Sequence, residues 1–400
     1  MTLDIVHLNV RYARGGAARI QQDLHERLIA TGHVSRIGYG YGPRGGKDPD
    51  AVALTNVVQL STPLRAATNL LVHRVMGSDV IPPLGRRWSS LVTEGTVIHA
   101  HAIHSHFMPL EWLARQVLLT RNPVLITAHD DWLFTGRCAI AGNCERWRKG
   151  CGQCPDRSRY PAALIDRSDT MSRRRRELIR RVAKHLVVPS TKLLLQARLI
   201  YPDLPVSLIP NGLDMRFEIE SQPVAASFAS QPTRERPLVF LAADLSDKEK
   251  VDPILLAALN NGRVPTLLIG DKPPFQSEYI RWAGKVNDRA ELFRLLSAAA
   301  ALVFTSKVDS FGLVMIEALA SGLPVLAVPS PAAENVLGQM GLNCVSMPDL
   351  IDFKDQLLNV GRKDYSTPLS LRSTALAQFD GSKMFESYLS KYQTLVSDMK

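Results

Sequence analysis

The amino-acid sequence predicts an α/β protein built from two Rossmann-like domains, each around a parallel sheet. Three observations lead there. Short strand-like runs alternate with longer helix-like segments, the strand runs are apolar almost throughout, and a polar aperiodic stretch separates two such series. Apolar strands without in–out alternation are what a sheet covered by helices on both faces requires.

Strands are expected at Ile5–Val10, Thr96–His99, Val124–Ala128, Leu186–Pro189, Val206–Ile209, Leu238–Ala242, Thr266–Ile269, Ala301–Phe304 and Val325–Val328. Helices are expected at Ala17–Thr31, Pro109–Leu119, Met171–Lys184, Glu291–Ala299 and Leu313–Ala320. The stretch SQPVAASFASQPTRERP, residues 221–237, carries no periodicity and precedes a fresh strand. The boundary is therefore placed there or slightly earlier, around Asn211, giving domains 1–210 and 211–379. No repeat with a solenoid-like period is visible.

The 400 residues are 46% hydrophobic and 22% charged, an ordinary globular composition that excludes collagen-like, disordered and disulfide-dense classes. Lys and Arg total 48 against 38 Asp and Glu, a net charge of +10. Aromatic residues make up only 6%, and no helix-turn-helix or RNA-stacking signature accompanies the charge, so no nucleic-acid partner is expected. No apolar run reaches the ~18 residues of a spanning helix. The N-terminal MTLDIVHLNV lacks the basic and long apolar regions of a signal peptide, and a cytoplasmic location is expected.

Four of the five cysteines, Cys138, Cys144, Cys151 and Cys154, fall within seventeen residues, and Cys344 stands alone. Four thiolates including a C-x-x-C knuckle suit a closed tetrahedral zinc site, so a structural zinc is expected. Reduced thiols or a labile disulfide are the alternatives.

Two glycine clusters bear on anion binding. Gly15 and Gly16 follow the first strand and open a helix, where backbone N–H groups and the helix dipole attract an anion. A plain strand-to-helix turn explains them equally well. The second cluster, GYGYGPRGGKD at Gly38–Asp48, fails the dinucleotide fingerprint at Pro43 and the P-loop pattern at Tyr41 and Asp48, and reads as a surface loop.

The segment FTSKVDSFGLVMIEALASGLPVLA, Phe304–Ala327, is the most informative. Glu317 is the sole charged residue between Asp309 and Glu334, in a helix apolar nearly all round. A buried ionised carboxylate is costly unless paired, so Glu317 is expected to bind something specific. With Asp309 just ahead of the helix and the amides of Ser310–Leu313 between, a nucleotide sugar would satisfy all three groups. An N-cap Asp309 and a core Glu317 bonded to a backbone donor is the other reading.

This segment is similar to the acid-x7-acid signature of the retaining GT-B glycosyltransferases of family 4 (glycosyl transferases group 1), with Asp309 in place of the usual first Glu. Further motifs agree in order: GGAAR early in the chain, AHDDW at Ala128–Trp132, VVPS at Val187–Ser190, IPNGLD at Ile209–Asp214, LIGD at Leu268–Asp271 and the run Trp282–Phe304. The closing stretch Phe379–Leu395 resembles the helix, about 380–400, that packs back on the first domain in such enzymes. Within the family, GRCAIAGNCERWRKGCGQCP, residues 136–155, most resembles transferases of colanic-acid, capsule and O-antigen assembly.

The resemblance implies two Rossmann-like domains facing across a cleft, the first binding acceptor and the second nucleotide sugar. It implies a hexosyl group moved with retention of configuration from a UDP- or GDP-type donor to a lipid-linked or saccharide acceptor. Glu317 would bind ribose hydroxyls and Asp309 those of the transferred sugar. The amides of Ser310, Phe311, Gly312 and Leu313 would hold the diphosphate, with Gly16 approaching from the other domain. Val286 would lie beside the base, and His129 would contact the donor sugar, with neighbouring Asp130 expected to fix its tautomer.

One departure concerns the diphosphate clamp. The family places an Arg five or six residues before a Lys, but here Asp244 and Leu245 occupy those positions. Charge on the leaving group then falls to Lys250, Lys248 or Lys307 and the helix terminus. No catalytic metal and no general base are expected, since the leaving phosphate accepts the acceptor's proton in the implied front-face displacement.

The run VIHAHAIHSHF holds His99, His101, His104 and His106 near a strand end, where open α/β sheets bind ligands. Acceptor-site lining, with His104 and His106 foremost, is expected ahead of structural contacts or metal ligation. Arg173–Arg176, Arg180 and Arg181 share a helix with an apolar stripe, so either a solvated face or an anionic membrane surface for a peripheral protein is expected. Rival functions are a zinc-containing nucleic-acid binder and a non-catalytic homologue of the same fold.

Overall fold

The computed structural model describes residues 1–400 except 13–14, 44–45, 52–53, 214–235, 287, 346–367 and 400. Most of the polar stretch expected to separate the domains lies outside the described residues, as does Asp214. The chain divides into two compact units, Met1–Pro210 with Lys383–Lys400, and Asn211–Ser382.

The first unit holds a seven-stranded sheet of β1 (Asp4–Asn9), β2 (Val34–Tyr39), β3 (Val57–Gln59), β4 (Val97–Ala100), β5 (Val124–Thr127), β6 (Ala183–Val188) and β7 (Val206–Leu208). Its order is β3-β2-β1-β4-β5-β6-β7, with every pair parallel. Helices α1 (Gly16–Ala30), α2 (Pro63–Met76), α3 (Gly85–Leu91), α4 (Leu110–Thr120), α5 (Ser168–Val182) and α6 (Thr191–Ile200) connect the strands. The order reverses between β1 and β4, and a crevice beyond the strand ends at such a reversal is where open α/β sheets bind ligands.

β2 and β3 were not expected from the sequence. VSRIGY of β2 carries Ser35 and Arg36 mid-strand, which breaks the apolar run; Arg36 pairs with Asp4 on β1. The reading of Gly38–Asp48 as a surface loop is corrected at its start, because Gly38 and Tyr39 end β2 and both are buried. A side chain on Gly40 would meet the Phe107 ring carbon at 2.7 Å, so glycine there permits close packing.

The second unit holds a five-stranded parallel sheet of β8 (Leu238–Asp244), β9 (Thr266–Asp271), β10 (Ile280–Gly284), β11 (Ala301–Phe304) and β12 (Val325–Ala327), in the order β10-β9-β8-β11-β12. Its helices are α7 (Pro253–Asn261), α8 (Arg289–Ser297), α9 (Leu313–Ala320), α10 (Pro331–Gln339) and α11 (Pro368–Gln378). The order reverses between β8 and β11. β10 is an edge strand with Arg281, Trp282 and Ala283 exposed, which is why no apolar run announces it.

The last helix, α12 (Gly381–Ser397), belongs to the first unit from Lys383 onward. Tyr388 and Tyr392 are fully buried there. The Tyr392 hydroxyl lies 2.7 Å from His99 Nδ1, and the Tyr388 hydroxyl lies 3.0 Å from Thr127 Oγ1, which is 2.8 Å from His99 Nε2. Tyr392→Phe keeps the ring but leaves a buried imidazole nitrogen unpaired. A loss of about 1–3 kcal/mol is expected, read as a lower urea midpoint with an unchanged slope.

Candidate functional site

In the second unit the site is built at the β8/β11 reversal. β11 is buried at all four positions, and the chain leaves it at Thr305. The Thr305 hydroxyl donates to the Lys250 carbonyl at 2.8 Å and accepts from the Asp252 amide at 3.1 Å, while the Lys307 amide donates to the Glu249 carbonyl at 2.9 Å. These bonds lace the loop after β8 to the loop after β11. They bring Lys250 Nζ to 3.7 Å from Asp309 Oδ1, both side chains half-buried.

α9 follows at once. Gly312 caps it at φ 83°, a left-handed conformation that glycine alone adopts without strain, and an added Cβ would collide with the Met315 side chain. The first turn has neither a side-chain cap nor an acidic residue. Glu317, inside this otherwise apolar helix, is only 5% exposed. Its carboxyl, Asp309 and Lys250 thus stand on one unit with the uncapped start of α9.

The remaining expected donor residues scatter more widely. Ser310 and Leu313 are half-buried, while Phe311 is buried edge-on against Phe379, 6.3 Å between ring centroids. Val286 is half-buried two residues past β10. Lys248 and Lys307 are exposed. Where the family places its Arg, Leu245 is buried, and Asp244 accepts from the Ser246 amide at 3.0 Å and pairs with Lys272. That lysine, foremost, holds the Asp244 carboxyl below its usual range.

In the first unit, β1 and β4 set His7 opposite His99 in register. His7 Nδ1 lies 3.1 Å from His101 Nε2, and His101 Nδ1 lies 2.9 Å from His129 Nε2. Burial pushes His7, His99 and His101 well below the usual histidine range and His129 down to about 4, so all four are neutral at pH 7. His7 was missed in the sequence because only the strand register reveals its partnership with His101 of the histidine run.

The expectation that Asp130 fixes the tautomer of His129 is corrected. Asp130 Oδ2 instead lies 2.8 Å from His104 Nε2, and Oδ1 accepts from the Trp132 amide at 2.9 Å. The nitrogen partner of His129 is His101. Although burial alone would raise it, the Asp130 carboxyl is held below its usual range by His104 and by these bonds. His106 is buried, and its Nδ1 lies 3.2 Å from Asp79 Oδ1, which also meets His73 Nδ1 at 3.1 Å. A pocket lined by Asp79, His104, Ser105, Trp132, Glu111 and Arg174, among others, opens beside them. Gly15, at φ 91°, and Gly16 are exposed at the uncapped start of α1.

Among the described residues, ligand-type atoms crowd within 4.8 Å of one another in two groups, His7–His99–His101 and His73–Asp79–His106. In the first, hydrogen bonds to Tyr392, Thr127 and neighbouring imidazoles already occupy the nitrogens named above. The sulfurs of Cys138, Cys144, Cys151 and Cys154 form no such group, and all four are free thiols. Cys151 Sγ accepts from the Gly136 amide at 3.1 Å, and burial pushes the Cys138 thiol up to about 11. Hydrogen bonds help tie the loop together, with Arg137 donating to the Asp156 carbonyl at 2.6 Å and the Cys154 amide to Asp166 at 2.6 Å.

In the basic run on α5, Arg173, Arg174, Arg180 and Arg181 are exposed, and the correction concerns Arg175. Arg175 does not reach the surface: it is buried against the Trp132 ring, 3.8 Å from its centroid, and donates to the Trp132 and Thr135 carbonyls at 2.8 and 2.6 Å. Arg176 donates to the Trp147 carbonyl at 2.6 Å, and Arg174 pairs with Glu111 at 2.6 Å. Arg175 and Arg176 thus tie α5 to the loop after β5, and Arg174 ties it to α4. No described helix is long and apolar enough to cross a membrane.

Two parallel-sheet α/β units, each with polar groups gathered at its strand-order reversal, define the class by architecture: the GT-B fold. Residues 248–361 match the family model described as Glycosyl transferases group 1, so the second unit carries a domain of that kind. Over its whole length the chain is similar to a glycosyl transferase of Escherichia coli K12 provisionally assigned to colanic acid biosynthesis, WcaC, at 29% identity over 98% of this chain and 100% of that one. Among solved structures it resembles sucrose-phosphate synthase from Thermosynechococcus elongatus, with a TM-score of 0.67 at 16% identity over 99% of this chain and 100% of that one. It also resembles Anabaena HepE in complex with UDP-glucose, with a TM-score of 0.60 at 15% identity over 98% and 99% of the two chains.

Proposed function

We propose that the chain moves a hexosyl group from a UDP- or GDP-type nucleotide sugar, with retention of configuration, to a lipid-linked or saccharide acceptor in the assembly of a bacterial surface polysaccharide. The observation that carries this is the pairing of Asp309 with Lys250 just ahead of an uncapped apolar helix that buries Glu317. A carboxylate sunk in such a helix suits the hydroxyls of a ribose, backbone amides at the helix start suit a diphosphate, and a half-buried lysine answers the charge that builds on the leaving group. The similarity to the colanic acid transferase over the full chain supports the polysaccharide setting.

In this reading Asp309 takes hydroxyls of the transferred sugar, and Lys250 supplies the cation that the missing Arg would have given. His129 meets the donor sugar, while His104 and Asp130 face the acceptor side. Thermal unfolding of the full chain with UDP, GDP and ADP tests the reading. One diphosphate, and its sugar conjugate, is expected to raise Tm, as any ligand selective for the native state does. No shift with any of them overturns it.

A structural zinc on Cys138, Cys144, Cys151 and Cys154 is a separate proposal from their spacing. The sulfurs as placed do not form one ligand sphere, so binding requires the loop to close on the ion. One zinc per chain by elemental analysis, with Tm lowered by a chelator, is expected; metal-free protein of unchanged Tm removes the proposal.

A further inference from the structure

We propose that His7 and His101 are positioning residues that hold His129 in the tautomer carrying its proton on Nδ1, so that His129 meets its ligand as a hydrogen-bond donor. The proposal rests on the transferase reading only for the identity of that ligand, an oxygen of a sugar or phosphate; the proton arrangement stands on the first unit alone.

The three rings form one chain. His7 Nδ1 and His101 Nε2 are 3.1 Å apart, His101 Nδ1 and His129 Nε2 are 2.9 Å apart, and the rings of His101 and His129 are stacked 18° from parallel. Each neutral imidazole carries one N–H and one bare nitrogen. Three rings therefore bring three protons to two shared hydrogen bonds, and the third proton must sit at one end. All protons point towards His129, leaving its Nδ1 protonated, or all point away, leaving His7 Nε2 protonated.

The environment of His7 chooses between these. His7 is fully buried, and its Nε2 has no hydrogen-bond partner among the described residues. An orphaned buried N–H is among the rarest features of folded proteins, whereas a bare nitrogen there sacrifices no donor. The third proton therefore sits on His129 Nδ1, at the half-buried end of the chain.

The other groups facing this chain leave the choice intact. His99, whose ring lies 3.9 Å from that of His101 between centroids, has both nitrogens engaged by Tyr392 and Thr127. His25 meets His7 only edge-on at 6.4 Å, and its own nitrogens go to Ser35 and Asn56. Both oxygens of Asp130 are engaged elsewhere, Oδ2 by His104 and Oδ1 by the Trp132 amide.

The consequence for chemistry is specific. A proton on Nδ1 with Nε2 occupied leaves His129 no basic nitrogen to offer, so it orients or polarises an oxygen and does not abstract a proton.

Nitrogen-15 histidine labelling of the full chain, read by two-bond proton–nitrogen correlation, tests this, with His129 assigned from its missing signals in His129→Gln. The expected spectrum shows His129 with protonated Nδ1 and bare Nε2 at pH 7. A protonated Nε2 with a bare Nδ1, or an imidazolium, overturns the proposal. His101→Leu removes the partner of His129 Nε2, and the Nε2-protonated form of His129 is then expected to grow at the expense of the other. A His129 tautomer unmoved in folded His101→Leu also overturns it, and if that variant does not fold the wild-type spectrum alone decides. Failure of every nucleoside diphosphate to shift Tm, with the tautomer as expected, would remove the transferase reading and leave this one standing.

Discussion

Glu317→Ala is expected to lower sugar transfer by about 10²–10⁴-fold, because two hydrogen bonds to a charged group are worth about 1.5–3 kcal/mol each and about 1.4 kcal/mol is a factor of ten. The carboxyl sits in α9 at 5% exposure, in a helix whose other residues are apolar, so the helix itself offers no second acid to replace it. The loss is expected in kcat/KM for the nucleotide sugar and, in parallel, in the affinity for the nucleoside diphosphate, since in the proposed reading Glu317 holds the ribose before and after transfer. Glu317→Gln keeps the shape and one acceptor oxygen and should fall between. Thermal unfolding separates this from a folding defect. A folded alanine variant with wild-type turnover would remove Glu317 from the site.

Gly270→Ala is expected to destabilise the second unit strongly. Gly270 lies in β9 at φ 144°, and a Cβ there would collide with the Ala242 carbonyl oxygen of β8 and meet Leu245 Cγ at 3.3 Å. The pairing of β8 with β9 shifts register between Leu241 and Asp244, which turns that carbonyl towards the glycine. Backbone strain of about 1–3 kcal/mol and overpacking of about 1–3 kcal/mol together predict a loss of about 2–6 kcal/mol. Urea unfolding should show a much lower midpoint. Gly15→Ala is the comparison, since nothing lies within 4 Å of a Cβ built there and only its positive φ opposes the change. Equal midpoints for Gly270→Ala and wild type would mean the two strands part without cost.

How much of this was legible in the sequence depends on what kind of signal each element carries. Ala301–Phe304 and Leu313–Ala320 fall where their apolar runs place them, because buried central strands and an apolar helix advertise themselves residue by residue. The edge strand Ile280–Gly284 presents three exposed residues and has no such run. Glu317 stands out as one charge in an oily helix, and Asp309 stands out by spacing from it. Lys250 reaches Asp309 only through hydrogen bonds between two loops some fifty residues apart, which spacing does not encode. The same holds for the imidazole chain, which depends on β1 lying beside β4 in a particular register. Adjacency in sequence misled in one case: Asp130 follows His129 directly, yet its carboxylate serves His104 across 26 positions.

The helix Gly381–Ser397 has a consequence for how the molecule is made. His99 finds its Tyr392 partner 293 positions downstream. At a synthesis rate of about 5–20 residues per second, that interval is about 15–60 s. Throughout it the earliest strands to leave the ribosome carry an imidazole face that only the last helix can cover. The part of the chain that is translated first is therefore among the last to be completed, and it waits, unfinished, while the second unit takes shape behind it.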